Sequence, residues 1–248
     1  MNYAYGIEES PAGGTVFPLG LYPGGAVAGR RETSAHPWDK FQAMMFNIQT
    51  ALLDVLLLWI LTAPHEFAHA WAADRLGDDT PRLQGRLTLN PLAHVDWMGT
   101  ALLPFLTALL GGGFLGWGKP VATDTRKLRG GLNGLALVAL AGPASNIVMA
   151  VILAAVARLL LPVSQPVADF AARGVPFSIY LAIFNLLPVP PLDGSKLLLA
   201  MRIPMKVYVE ISRVGFMFLV VVVSFYGVGR WISYASYSAA RTIFHFLP

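Results

Sequence analysis

An apolar run, ALLDVLLLWILTAP (Ala51–Pro64), leads directly into HEFAH (His65–His69), and together they leave this chain few ways to fold. On a helix, positions i and i+4 lie one above the other on one face. His65 and His69 can therefore offer two imidazoles to a single metal, with Glu66 beside them to act on a metal-bound water. The apolar residues ahead of the motif place that chemistry at the end of a membrane span. The first helix is expected from near Trp38 to Ala73, longer than the roughly 20 residues needed to cross a bilayer. Asp74 and Arg75 mark its exit. At 1.5 Å per residue, His69 lies roughly 8 Å and His65 roughly 14 Å inside that exit.

Composition extends the reading to the whole chain. Of 248 residues, 55% are hydrophobic and only 13% charged, where a soluble domain carries about 25% charged residues. This is the profile of a polytopic membrane protein. There is no cysteine, so a metal must be met by nitrogen and oxygen ligands. The formal net charge of +4 fits Lys and Arg in loops facing anionic lipid, rather than a nucleic-acid footprint.

Residues 1–37, rich in Gly and Pro, read as an irregular tail, and residues 38–248 as one membrane-embedded domain. Apolar segments recur at Met98–Trp117, Leu132–Leu161, about Pro176–Leu187 and about Val207–Tyr226, with a more amphipathic stretch at the C-terminus. The expected fold class is all-α: a bundle of about five to six transmembrane or re-entrant helices. If residues 98–117 dip in and return, Arg75, Arg82, Arg86, Lys119, Arg126, Lys127, Arg129, Lys196, Arg202 and Lys206 share one side, and Arg158 and Arg173 stay on the other. That arrangement satisfies the positive-inside rule and puts the HEFAH exit on the cytoplasmic side. Irregular backbone at membrane depth is tolerated where protein or a water cavity covers it.

Zinc catalysis usually needs three protein ligands and one open position. The best third ligand by context is Asp193, in PPLDG at the end of an apolar span, because an ionisable residue at membrane depth is a functional candidate by default. Pro188, Pro190 and Pro191 break the helix ahead of it, and Gly194 permits a sharp turn. A broken helix could turn the Asp193 carboxylate towards the first helix. His94 and Asp96, two residues apart, do not share a helical face, and His94 reads as a hydrogen-bonded loop residue.

HEFAH at a span end, then AGPASN (Ala141–Asn146), then NLLPVPPLDG (Asn185–Gly194), in that order, resemble the site-2 protease family of intramembrane zinc metalloproteases. GRLTLNPLAHVD and GWGKPV resemble its compact bacterial branch, without a PDZ or CBS module. The resemblance implies three core helices bearing the three motifs. It also implies one Zn2+ per chain on His65, His69 and Asp193, with Glu66 as the base and the HEFAH and LDG ends facing the cytoplasm. Expected partners are transmembrane protein substrates and the lipid bilayer, with no nucleic acid, and the expected location is the bacterial inner membrane. Such substrates must unwind before attack. A small β-like loop near residues 114–122 is the candidate edge to hold them. Asn146 and Asn185 are candidates to hydrogen-bond the extended substrate or the oxyanion. Two other functions compete: a non-catalytic homologue that binds a membrane partner, and a metal transporter.

Overall fold

The computed structural model describes residues 37–109, 118–225 and 227–247. Residues 1–36 of the proposed tail and residues 114–117 of the proposed β-like loop lie outside them. Eight α-helices are described: α1 (Pro37–Arg75), α2 (Thr80–Leu83), α3 (Leu103–Leu109), α4 (Leu132–Leu160), α5 (Gln165–Asn185), α6 (Gly194–Ala200), α7 (Met205–Phe225) and α8 (Val228–Phe246). No strand occurs among the described residues. The described part of the β-like loop, Gly118–Ala122, has no regular structure.

Among the described residues, Ile48–Arg75, Leu132–Leu160 and Gln165–Asn185 are long and apolar enough to cross a membrane. Their outward faces agree. Leu137, Leu140, Ile147, Val148 and Val151 form an exposed apolar stripe along α4, which water would penalise and hydrocarbon would not.

The inward faces are built from small residues. Ala150, Ala154 and Ala157 of α4 and Ala168 and Ala171 of α5 are buried, at spacings that repeat every turn. Without a Cβ, Gly174 lets α5 approach Leu153 and Leu57 closely. Small residues bring helix backbones together where apolar burial gives no drive between them. Consequently α4 packs closely on both α5 and α1, the most extensive helix pairings among the described residues. Leu57, Leu58 and Leu61 of α1 meet Phe177 of α5 and Met149 and Leu153 of α4 in one cluster. A second cluster joins Ala73 to Leu128, Leu135 and Val138 near the exit of α1. HEFAH lies between the two along α1.

The segment after α1 returns to its own starting level. Asn90 caps a short 3-10 turn at Pro91–Ala93. Asp96 Oδ1 accepts from the amides of Met98 and Gly99 at the start of a π-helical turn, Trp97–Leu102, that runs into α3. Trp59 of α1 pins this turn by donating to Thr100 O at 2.9 Å. From Trp97 to Leu109, thirteen residues at 1.5 Å each reach only about 20 Å, short of a ~30 Å hydrocarbon core. The Lys119 amide then donates to His94 O at 2.9 Å. The chain therefore comes back at Lys119 to where it left at His94, which is what a re-entrant segment requires.

The loop from Gly118 to Gly131 is stitched to the exit of α1. Buried Asp78 accepts from Thr80 N at 3.0 Å and Asp124 N at 2.7 Å, and Lys127 pairs with Asp79 at 2.6 Å. The Arg126 guanidinium and amide, both bonded to Asp124, hold that carboxyl down at about 2. At the other end of the chain, α8 packs on α5, burying Ile232, Ser236 and Ala240, and Arg158 of α4 donates to Phe244 O.

Candidate metal centre

A candidate metal site is assembled from α1 and the turn between α5 and α6, with α4 packed against it. His65 and His69 project from one face of α1 with their rings edge to face, centroids 4.7 Å apart. Both are buried. Their Nε2 atoms lie 3.1 Å apart.

Asp193 arrives from the far end of the chain. Helix α5 stops at Asn185, and Pro188, Pro190 and Pro191 forbid its continuation. The Pro190–Pro191 bond is cis. The turn then folds back on the end of α5 so closely that a Cβ at Gly194 would overlap Leu186 O. Gly194 is thus needed for close approach and not for a positive φ. This fold-back aims Asp193 Oδ2 at both histidines, 3.1 Å from His65 Nε2 and 3.0 Å from His69 Nε2.

Three mutually close ligand atoms in a buried pocket are satisfied together by a cation between them. His69 Nδ1 lies 2.7 Å from Val138 O and donates to it, so a neutral His69 has no hydrogen left on Nε2 for its neighbours. For bonds of about 2.0 Å in a tetrahedron, ligand atoms stand about 3.3 Å apart. The observed 3.0–3.1 Å needs only a few tenths of an ångström of opening. Two imidazole nitrogens and one carboxylate oxygen, with a fourth position free, suit zinc. The triad His65, His69, Asp193 is the group among the described residues able to hold a metal in this way.

Each ligand has a supporting partner. Val138 O orients His69. Lys196, one turn along α6, binds the other oxygen of Asp193 at 2.8 Å, leaving Oδ2 alone to face the histidines. The Asn146 amide faces His65 Nδ1 at 3.2 Å. Gly142 brings the α4 backbone onto the ligands: a Cβ there would overlap His69 Nε2 and lie 2.7 Å from His65 Cε1.

Glu66 is buried beside the triad, and its Oε2 has no hydrogen-bond partner. Gly118 passes directly over it: a Cβ at that position would lie 3.2 Å from Glu66 Oε1 and 2.8 Å from Thr62 Cγ2. A buried carboxylate is therefore held beside the two histidines, with the Gly118 backbone passing over it.

Of the two sequence candidates for substrate contact, one faces a histidine and the other bonds within its own helix. Asn146 is 1% exposed and turned to His65. Asn185 is half-buried and donates from Nδ2 to Leu181 O inside its own helix. His94 donates from Nε2 to Thr88 O, as expected of a loop residue. Sequence reasoning missed Val138 O, Gly142, Gly118 and Lys196. Lys196 carried a signal, an opposite charge three residues after Asp193 on a helical turn. Gly142 lay in a segment of small residues whose packing partner could not be read.

Comparison with known proteins agrees with this chemistry. Over 152 residues the chain is 37% identical to the Bacillus subtilis protein named "Putative zinc metalloprotease YwhC", a match covering 58% of this chain and 66% of that one. Over 185 residues it is 34% identical to "Putative zinc metalloprotease Rip2" of Mycolicibacterium smegmatis, covering 71% of this chain and 69% of the relative. The Rip2 protein of Mycobacterium tuberculosis is 35% identical over 153 residues, 54% of its length. No family model and no solved structure matches. With an HEFAH helix, a converging aspartate and a match across most of the Mycolicibacterium protein, the chain belongs to the family of zinc metalloproteases that Rip2 represents.

Proposed function

We propose that this chain is an intramembrane zinc endopeptidase of the site-2 protease type, cutting peptide bonds in or near the membrane-spanning segments of other proteins. One observation carries the reading. The ligand atoms of His65, His69 and Asp193 converge beside Glu66, and α1, α4 and α5, which surround them, are each of membrane-crossing length. The cluster of Lys and Arg beyond the exit of α1 supports a site near the cytoplasmic face of a bacterial inner membrane.

His65, His69 and Asp193 would hold one zinc. When bound, zinc lowers the pKa of a water and polarises the scissile carbonyl. Glu66 does the proton work. Its unpartnered Oε2 accepts a proton from the attacking water and delivers it to the leaving amine nitrogen. Burial of the site excludes bulk water and strengthens each of these interactions.

A transmembrane substrate has its amides and carbonyls bonded within its own helix, so the segment to be cut must unwind. Gly118–Ala122, irregular and next to Glu66, offers backbone along which an unwound segment can lie. Asn185 keeps its Oδ1 to accept a substrate N–H.

The test is cleavage of a model membrane-spanning substrate in detergent by the full chain and by Glu66→Gln. Loss of nearly all activity with zinc retained is expected. Undiminished cleavage by Glu66→Gln refutes the mechanism.

A further inference from the structure

The inference concerns the tautomer of His65 and rests on the metal reading of His65, His69 and Asp193. To bind through Nε2, a neutral imidazole must carry its hydrogen on Nδ1. What faces Nδ1 therefore decides whether the ligand is ready. For His69 that partner is a carbonyl, Val138 O. For His65 it is the side-chain amide of Asn146, 3.2 Å away.

A carboxamide is nearly symmetric in shape, and which end points where follows from the hydrogen bonds each orientation makes. With Nδ2 towards the ring, Asn146 donates to Nδ1. That puts the His65 hydrogen on Nε2 and removes the lone pair from the metal position. It also leaves Asn146 Oδ1 buried with no partner, which costs of order 1–3 kcal/mol. A half-turn about Cβ–Cγ reverses the first of these: Oδ1 accepts Nδ1–H, and the Nε2 lone pair points at the metal position.

The residue is well placed for this. Its backbone carbonyl accepts from Ser178 Oγ of α5 at 2.7 Å, which fixes it at the junction of α4 and α5. It is 1% exposed and approaches His65 from the ring nitrogen opposite the ligand atom. We propose that Asn146 is a positioning residue, whose Oδ1 accepts the Nδ1–H of His65 and holds that ring in its metal-binding tautomer, as Val138 O does for His69.

The experiment uses the full chain in detergent, stripped of metal and titrated with zinc against a chromophoric chelator. Wild type is compared with His65→Ala, Asn146→Ala, Asn146→Leu and Asn146→Asp. Removing such a partner weakens metal binding by about ten- to hundredfold, and this loss is expected for Ala and Leu. Asp offers a carboxylate oxygen at the same place and is expected to stay within about threefold of wild type. The ligand-field absorption of the cobalt-loaded protein should change in Asn146→Ala and be restored in Asn146→Asp, a readout that packing alone would not move. Wild-type zinc affinity in Asn146→Ala, in a series where His65→Ala has lost zinc, overturns the inference. If Ala and Leu do not yield folded protein, Asp decides: folded Asn146→Asp with zinc binding as weak as His65→Ala also overturns it. If wild type itself takes up no stoichiometric zinc, or His65→Ala binds as tightly, the metal reading fails instead.

Discussion

Gly142→Ala is the sharpest test of how the site is packed, because two effects predict opposite signs. On helix propensity alone, replacing an interior glycine by alanine stabilises by about 1 kcal/mol. The structure argues otherwise. The added Cβ would overlap His69 Nε2 and stand 2.7 Å from His65 Cε1, where ordinary contact begins near 3.5 Å. One ring, or the whole of α4, must therefore move by roughly 1 Å. His69 cannot simply slide, since its Nδ1 is bonded at 2.7 Å to Val138 O on the same helix. Metal–ligand distances tolerate only about 0.2 Å, so the displacement removes one ligand from reach. We expect Gly142→Ala to bind zinc at least about a hundredfold more weakly. The metal-free protein should lose about 1–3 kcal/mol from overpacking. Chelator competition measures the first, and thermal unfolding in detergent with and without zinc measures the second. Ala144→Gly, at an exposed position two residues on, controls for propensity. Wild-type zinc affinity together with a raised unfolding midpoint in Gly142→Ala would show that α4 does not press on the ligands.

Three further outcomes follow from other contacts. Arg173 donates twice to Asp54 Oδ1, at 2.9 and 2.7 Å, across α5 and α1. Asp54→Ala strands the guanidinium, so about 3–5 kcal/mol of stability should be lost, and most should return in the apolar double variant Asp54→Leu, Arg173→Met. A single-variant loss under about 1 kcal/mol contradicts this. Lys196→Met frees Asp193 Oδ1 and should weaken zinc binding by up to about tenfold, with Lys196→Arg intermediate; unchanged affinity in Lys196→Met refutes a role for the lysine. The Asp124 carboxyl is depressed by Arg126. Its contribution is therefore present above the ordinary carboxylate range and is lost progressively as pH falls from that range through about 2. The Asp124 titration, followed by NMR, should have its midpoint well below 3.8, and a midpoint at or above that value refutes the pairing.

How much of this was legible depends on whether a relation is local in sequence. The i, i+4 spacing makes a convergent pair of His65 and His69 on any helix, so two of the three candidate ligands needed no tertiary information. Asp193 was legible for a different reason: an acid at a span end, behind three prolines, has few uses other than function. Charge predicted a re-entrant segment; the amide of Lys119 meets His94 O, and residues 110–117 lie outside the described residues. What could not be read is the rotation of α4 against α1. AGPASN announces close approach, but not that Gly142 meets the ligands and Asn146 the back of His65. Those contacts depend on the alanine faces of α4 and α5 and on the leucines of α1, a three-body fit that no spacing rule encodes.

Asp193 stands 128 residues from His65 and 124 from His69. A cation held by all three is therefore a clasp between the start and the end of the helical core, in a chain without a single cysteine to supply one. Closing so long a loop removes much freedom from the unfolded chain, so metal loading and folding draw on one free energy. At a thousandfold excess of free zinc over its dissociation constant, the clasp adds about 4 kcal/mol to stability. Zinc held there would act on more than turnover: its supply would set how long the folded protein persists.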